Sequence, residues 1–184
     1  MGKKGFLFLL LVVIYINLRF THQVFAQSLA GASAVPTASF VQIQEDRRIN
    51  ILKKYLQTYN SPLAPYASIF VTEADKNQID YRLLVAISGV ESTFGHQIPY
   101  NSYNAWGWGI YGDNMILFNS WNQAITTISK ELKTTYIDKW GTKDVYQIGK
   151  FYAASPTWAE RVDGIMQKIE AFALKSPESL PISL

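Results

Sequence analysis

Tyr81–Gly95 reads YRLLVAISGVESTFG, and the fold hangs on it. From Tyr81 to about Glu91 the segment is apolar nearly all round, which predicts a central helix with Asp80 as its N-cap. Glu91 stands four residues after Ile87 and therefore on the same face, so its carboxyl emerges beside apolar side chains at the helix C-terminus. Partial desolvation and the negative end of the helix dipole both disfavour the charged form there. A protonated carboxyl is what a general acid needs when the leaving group is a poor alkoxide, as in a glycosidic bond.

Upstream, FVQIQEDRRINILKKYLQTY (Phe40–Tyr59) spaces Val41, Ile49, Ile51, Leu52 and Leu56 as one face of an amphipathic helix. NSPLAPYASIFVTEADKNQ opens on turn residues and Pro65 and continues as a second helix. Downstream, GHQIPYNSYNAWGWGIYGDNMILFNS loses helical periodicity. Trp108–Tyr111 and Met115–Phe118, flanking GDN, predict a short hairpin. Ser120 with Gln123 is a capping box that opens a helix from Trp121 to about Tyr136. A shorter helix spans Lys143–Tyr152. Ser155 followed by Pro156 marks the start of a last helix to about Leu174. The expected fold class is mainly α, a helical domain over residues 40–175 with one short β-hairpin insertion, followed by a tail at 176–184.

The chain has 184 residues, 48% hydrophobic and 17% charged, which suits one globular domain. MGKKGFLFLLLVVIYINLRFTHQVFAQS begins with Lys3 and Lys4 and an apolar run to about Leu18, the pattern of an export signal cut after Ala26. The apolar run is shorter than the ~20 residues of a spanning helix. An uncleaved signal anchor is the other reading, and it would hold the protein at a membrane. Residues 27–39 are a small, Pro-interrupted spacer. Of 17 basic residues, Lys3, Lys4 and Arg19 lie in this leader, which leaves 14 against 14 acidic ones, so the formal charge of +3 belongs to the leader. A near-neutral domain lacks the basic face of a nucleic-acid binder. With no cysteine, no disulfide or thiolate chemistry exists, and with His96 alone after the leader there is no multi-histidine metal site. No cofactor is expected.

Three blocks in order carry a resemblance: Glu91-Ser92 with Phe94-Gly95, YNAWGWG (Tyr103–Gly109) and YAASPTWAERV (Tyr152–Val162). They resemble the E-S-x-aromatic-G, N-x-aromatic-G and Y-A-x-x-P-x-aromatic-A-x-basic-Val signatures of glucosaminidase-type peptidoglycan hydrolases, glycoside hydrolase family 73 of the lysozyme-like superfamily. The resemblance spans about Ala64 to Ile169. It implies a lysozyme-like helical fold, a secreted or envelope-bound monomer, and cleavage of β-1,4 bonds between N-acetylglucosamine and N-acetylmuramic acid in bacterial cell-wall glycan strands. By the same resemblance Glu91 is the acid, Ser92 the small hydroxyl residue beside it, Asn104 and Gly107 the turn that shapes the cleft, these three at the substrate, and Tyr152 the catalytic tyrosine facing the acid. Such a phenol can hydrogen-bond an acetamido group and pack on a sugar face.

The family's second acidic residue has one counterpart between Glu91 and Glu131, namely Asp113 in GDN, whose other role is the turn itself. Without it Glu91 works alone, as in the lytic transglycosylases of the same superfamily, which form 1,6-anhydro products. A non-catalytic glycan-binding module is a third reading. Among the clustered aromatics, Trp106 and Trp121 are expected in the core, and Trp108 and Tyr111 at the substrate. His96 is expected to hydrogen-bond a loop. Glu45, Glu131 and Glu160 read as solvated charges, and Arg161 as surface or as a partner for a helix-end carbonyl.

Overall fold

A computed structural model describes residues 37–109 and 115–176, with side chains from Arg47 onward. The chain forms two units, Met1–Phe40 and Val41–Leu184. Of the first, only the helical Thr37–Phe40 is described, and the predicted leader and most of the spacer lie outside the described residues.

The described residues are mainly helical. Helix α1 is Thr37–Thr58, beginning three residues inside the expected spacer. A 3-10 turn at Ala64–Tyr66 leads into α2, Ala67–Asn77. Helix α3 is Leu83–Ser92 and α4 is Trp121–Glu131. Beyond α4 the chain continues as a π-helix, Leu132–Lys139, where the sequence predicts an ordinary helix to Tyr136. Helices α5, Val145–Tyr152, and α6, Trp158–Lys175, complete the set. Among the described residues there is no strand. The hairpin tip, Ile110–Asn114 with Tyr111 and Asp113, lies outside them, and its described flanks, Trp108–Gly109 and Met115–Phe118, are irregular.

The central position predicted for α3 is what its burial gives. Leu83, Leu84, Val85, Ala86, Ile87 and Ser88 are all buried, and the helix packs on α4 and α6. Each fully buried aliphatic side chain contributes up to roughly 1.5–3 kcal/mol, so such a run centres the core around it. Gly89 allows the approach of its neighbours, since a Cβ there would meet the Phe94 ring at 2.6 Å and Ile165 at 2.8 Å. On α1, Ile51, Leu52 and Leu56 face the core and Ile49 is partly buried, as the spacing predicts, and Tyr55 is buried with them. The side chain of Val41 lies outside the described ones.

Local signals mark several helix ends. Ser120 Oγ accepts from the Gln123 amide, and Gln123 Oε1 in turn accepts from the Asn119 amide, one residue before the cap. Asp144 caps α5 by accepting from the Gln147 amide. Asp80 Oδ1 accepts from the Arg82 amide, so it caps the turn that leads into α3 rather than the helix proper. Helix α6 starts later than Ser155-Pro156 suggests: its N-cap is Thr157, with no side-chain cap bond, and Ser155 lies in the preceding turn. Its far end is fixed by Ser176, buried and donating to the Phe172 carbonyl, so the first residue of the expected tail belongs to the fold.

Candidate active site

Glu91 sits in the last turn of α3, half-buried, and the chain reverses directly after it. Thr93, Phe94 and Gly95 take φ of +54°, +58° and +87° in succession. For Thr and Phe the left-handed region is costly, about 1–2 kcal/mol each, so the surroundings must hold it. They do so through hydrogen bonds. The Phe94 amide donates to the Ser88 carbonyl at 3.0 Å, and Ser61 Oγ donates to the Phe94 carbonyl at 2.7 Å.

Ser92 is part of the same clasp. It is 2% exposed, its hydroxyl lies 2.8 Å from the Ala105 carbonyl and 3.0 Å from the Ser88 carbonyl, and it accepts from the Gly95 amide. The expectation of a substrate-contacting hydroxyl therefore gives way to a structural one: its bonds are all made inside the protein. It ties the end of α3 to the loop that carries the next elements of the site.

Asn104 organises that loop. Also buried, it accepts at Oδ1 from the Trp108 amide at 3.0 Å, and its Nδ2 donates to the Trp108 and Ile116 carbonyls at 2.8 and 3.1 Å. It shapes the turn, as the sequence suggests, but its amide group is occupied by backbone and does not reach for a ligand. Gly107, at φ +61°, faces the acid: a Cβ there would stand 3.2 Å from Glu91 Oε2.

The other oxygen has a partner that sequence reasoning missed. Trp158, the first residue of α6, donates its indole Nε1–H to Glu91 Oε1 at 2.6 Å. Tyr152, the last residue of α5, stacks on Trp158 with ring centroids 4.7 Å apart and 22° between planes, and donates its hydroxyl to the Trp106 carbonyl at 2.8 Å. Burial first, and then the charge of Glu91 and the neighbouring Tyr136, hold the Tyr152 phenol well above its ordinary pKa. It is a neutral donor throughout the physiological range. Glu91, Gly107 and Tyr152 thus come together as expected, with Trp158 as the link between acid and phenol.

From Gly107 and Tyr152 a cleft of about 320 Å³ opens, lined further by Trp108, Thr135, Tyr136, Trp140 and Phe151. Trp108 holds the cleft position expected of it, whereas Trp106 and Trp121 are buried in the core. Tyr111 and Asp113 lie outside the described residues. The π-helix supplies Thr135 and Tyr136, and its wider turn is a feature that recurs at functional sites. No sequence pattern announces it. His96 Nε2 lies 2.9 Å from the Tyr59 carbonyl, a loop contact. Arg161 donates to the Val90 carbonyl at 3.2 Å, the helix-end role expected of it. Glu160 is exposed, whereas Glu131 is partly covered and accepts from the Thr135 hydroxyl at 2.9 Å. The Glu45 side chain lies outside the described ones.

Among the described residues no group of three His, Cys, Asp or Glu side chains converges on a possible metal position, and no helix is long and apolar enough to cross a membrane. No protein-family model matches the chain, and no curated protein matches it.

Proposed function

We propose that the protein is an exported peptidoglycan glycosidase with a lysozyme-like fold, in which Glu91 is the general acid for cleavage of β-1,4 bonds between N-acetylglucosamine and N-acetylmuramic acid. The observation that carries the reading is the environment of one carboxyl group. Glu91 Oε1 is engaged by the Trp158 N–H, while Oε2 lies beside Gly107, a residue that lines an aromatic cleft. An oxygen that accepts from an N–H is the poorer site for a proton, so Oε2 is the oxygen that carries it. Glu91 gives this proton to the bridging oxygen as the C1–O bond breaks, and the sugar develops oxocarbenium character. Water then adds to C1 and loses its proton, leaving a reducing end.

Aromatic faces pack on the C–H faces of pyranose rings, which is the use proposed for Trp108 and Tyr136. Export and residence in the cell envelope rest on the Lys3-Lys4 and apolar leader pattern.

A second chemistry has its own support. It rests on the sequence, where Asp113 is the one acidic residue between Glu91 and Glu131: without it Glu91 acts alone, as in a lytic transglycosylase in which the substrate's 6-hydroxyl replaces water at C1. Zymography on cell-wall gels with the wild type and Glu91→Gln tests the shared part: clearing by the wild type alone is expected, and equal clearing by both would sink the assignment. Mass spectrometry of the products separates hydrolysis, which gives reducing ends, from transglycosylation, which gives anhydro ends. The binding-module reading predicts wall binding with no soluble fragments from the wild type.

A further inference from the structure

The far end of the cleft carries two large rings that the chemistry at Glu91 does not use. Trp140, just after the π-helix, is 42% exposed, and Phe151, on α5, is 56% exposed. Their centroids are 4.9 Å apart with 33° between planes, so the two rings pack against each other and act as one apolar unit, a stacking plate at the cleft. Leaving such rings in water is unfavourable unless something covers them, and both line the same cleft as Gly107 and Tyr152.

The plate is joined to the acid by a ladder of rings. Tyr136 is the middle rung, 5.9 Å from Tyr152 and 4.7 Å from Trp140, and Tyr152 stacks on the Trp158 that holds Glu91. Trp140 is thus two rungs from the ring stacked on Trp158. A hydroxyl-bearing side chain lines the same cleft: Thr135, whose donation to Glu131 leaves oxygen lone pairs for a ligand donor. Exposed ring faces beside a fixed hydroxyl suit a pyranose, which presents C–H groups on its faces and O–H groups at its edges.

We infer that Trp140 and Phe151 form a distal sugar subsite, a stacking plate for a pyranose of a β-1,4-linked N-acetylhexosamine strand remote from the scissile bond. The subsite rests on the glycan reading of the cleft. Its role is to make affinity depend on strand length.

The test measures binding of N-acetylglucosamine oligomers by calorimetry to protein carrying Glu91→Gln, so that binding is read without cleavage. Replacing Trp140 or Phe151 by alanine is expected to weaken hexamer binding by about tenfold and to leave dimer binding unchanged. Trp140→Phe, which keeps a ring, is expected to retain most of the hexamer affinity, and it serves as the folding control together with unchanged thermal melting. Equal loss for hexamer and dimer, no loss for either, or no hexamer binding at all would overturn the subsite. Its failure is distinguishable from that of the catalytic reading. Cleavage by the wild type with hexamer binding insensitive to Trp140 removes the plate alone, and Trp140-dependent binding without cleavage removes the chemistry alone.

Discussion

The indole N–H of Trp158 and the Oε1 of Glu91 meet at 2.6 Å across 67 residues of sequence, joining the first residue of α6 to the last turn of α3. The bond does more than satisfy a buried donor. It leaves Oε2 as the oxygen beside Gly107, and the stacked Tyr152 ring limits how the indole can turn. Trp158→Phe keeps an apolar ring and deletes the N–H. If Glu91 is the acid proposed above, the expected result is a fall in kcat of up to about a hundredfold with KM little changed, since misplacement of a catalytic group acts on the chemical step. Muropeptide release at varied substrate concentration reads this split. A rise in KM with kcat retained would assign Trp158 to substrate contact instead.

Gly107 is required on two counts, its φ of +61° and the 3.2 Å that separates its missing Cβ from Glu91 Oε2. Gly107→Ala is expected to destabilise the fold by about 1–2 kcal/mol through the backbone alone. On the proposed glycosidase reading, activity should fall further than this cost accounts for, because the added methyl crowds Glu91 Oε2. Chemical denaturation beside a cleavage assay separates the two effects, and parallel small losses would show that Oε2 has another route to the substrate.

Ser92 marks the line between what the residues reveal and what they conceal. Its place beside Glu91 suggests a substrate contact, while its actual partners are Ala105, Ser88 and Gly95. Helix positions were legible because they depend on local periodicity and caps: α3 and its central burial, the Ser120 cap and the α1 face all follow from spacing a few residues long. The left-handed run at Thr93 and Phe94, the π-helix and the Trp158 bond were not, because each is imposed by partners distant in sequence against local preference. Ser92→Ala is accordingly expected to act on stability, by about 1–3 kcal/mol, as it leaves the buried Gly95 amide without its acceptor. Urea unfolding checks this, and an unchanged midpoint with lost activity would restore the substrate role.

Asp80 provides a pH handle remote from the cleft. Burial alone would raise its carboxyl, but the hydrogen bonds and charge of Arg82 outweigh that and hold it below its ordinary value. Arg82 also pairs with Glu170 on α6 at 2.9 Å, so the ion cluster ties the start of α3 to the last helix. A carboxyl with a lower pKa folded than unfolded binds fewer protons in the native state, so its contribution is present above the unfolded value of ~3.9 and is lost as pH falls through the folded one. With its side chain 34% exposed, the contribution is less than about 1 kcal/mol. Asp80→Asn should therefore lower stability at neutral pH and converge on the wild type as pH falls through the folded value, as read by melting temperatures across the acid range. A constant gap at all pH values would mean that the ion cluster contributes by shape and not by charge.

Tyr152 tests whether the residue beside an acid reacts or positions. Its hydroxyl is committed to the Trp106 carbonyl, which belongs to the residue preceding Gly107, and its face supports Trp158. Tyr152→Phe preserves the stack and removes the bond, so the loop opposite Glu91 loses one anchor and the carbonyl its donor. The expected outcome is a stability loss of about 1–3 kcal/mol and a kcat loss smaller than that of Trp158→Phe. The phenol's raised pKa adds a sign: its neutral form is favoured in the fold, so the stabilisation is complete below the unfolded value of ~10 and disappears as pH rises above it. The variant should thus lose the alkaline fall in stability attributable to this group, while its activity profile near neutrality keeps the shape of the wild type. Loss of activity as deep as that of Glu91→Gln, with stability intact, would instead make the phenol a participant in bond cleavage.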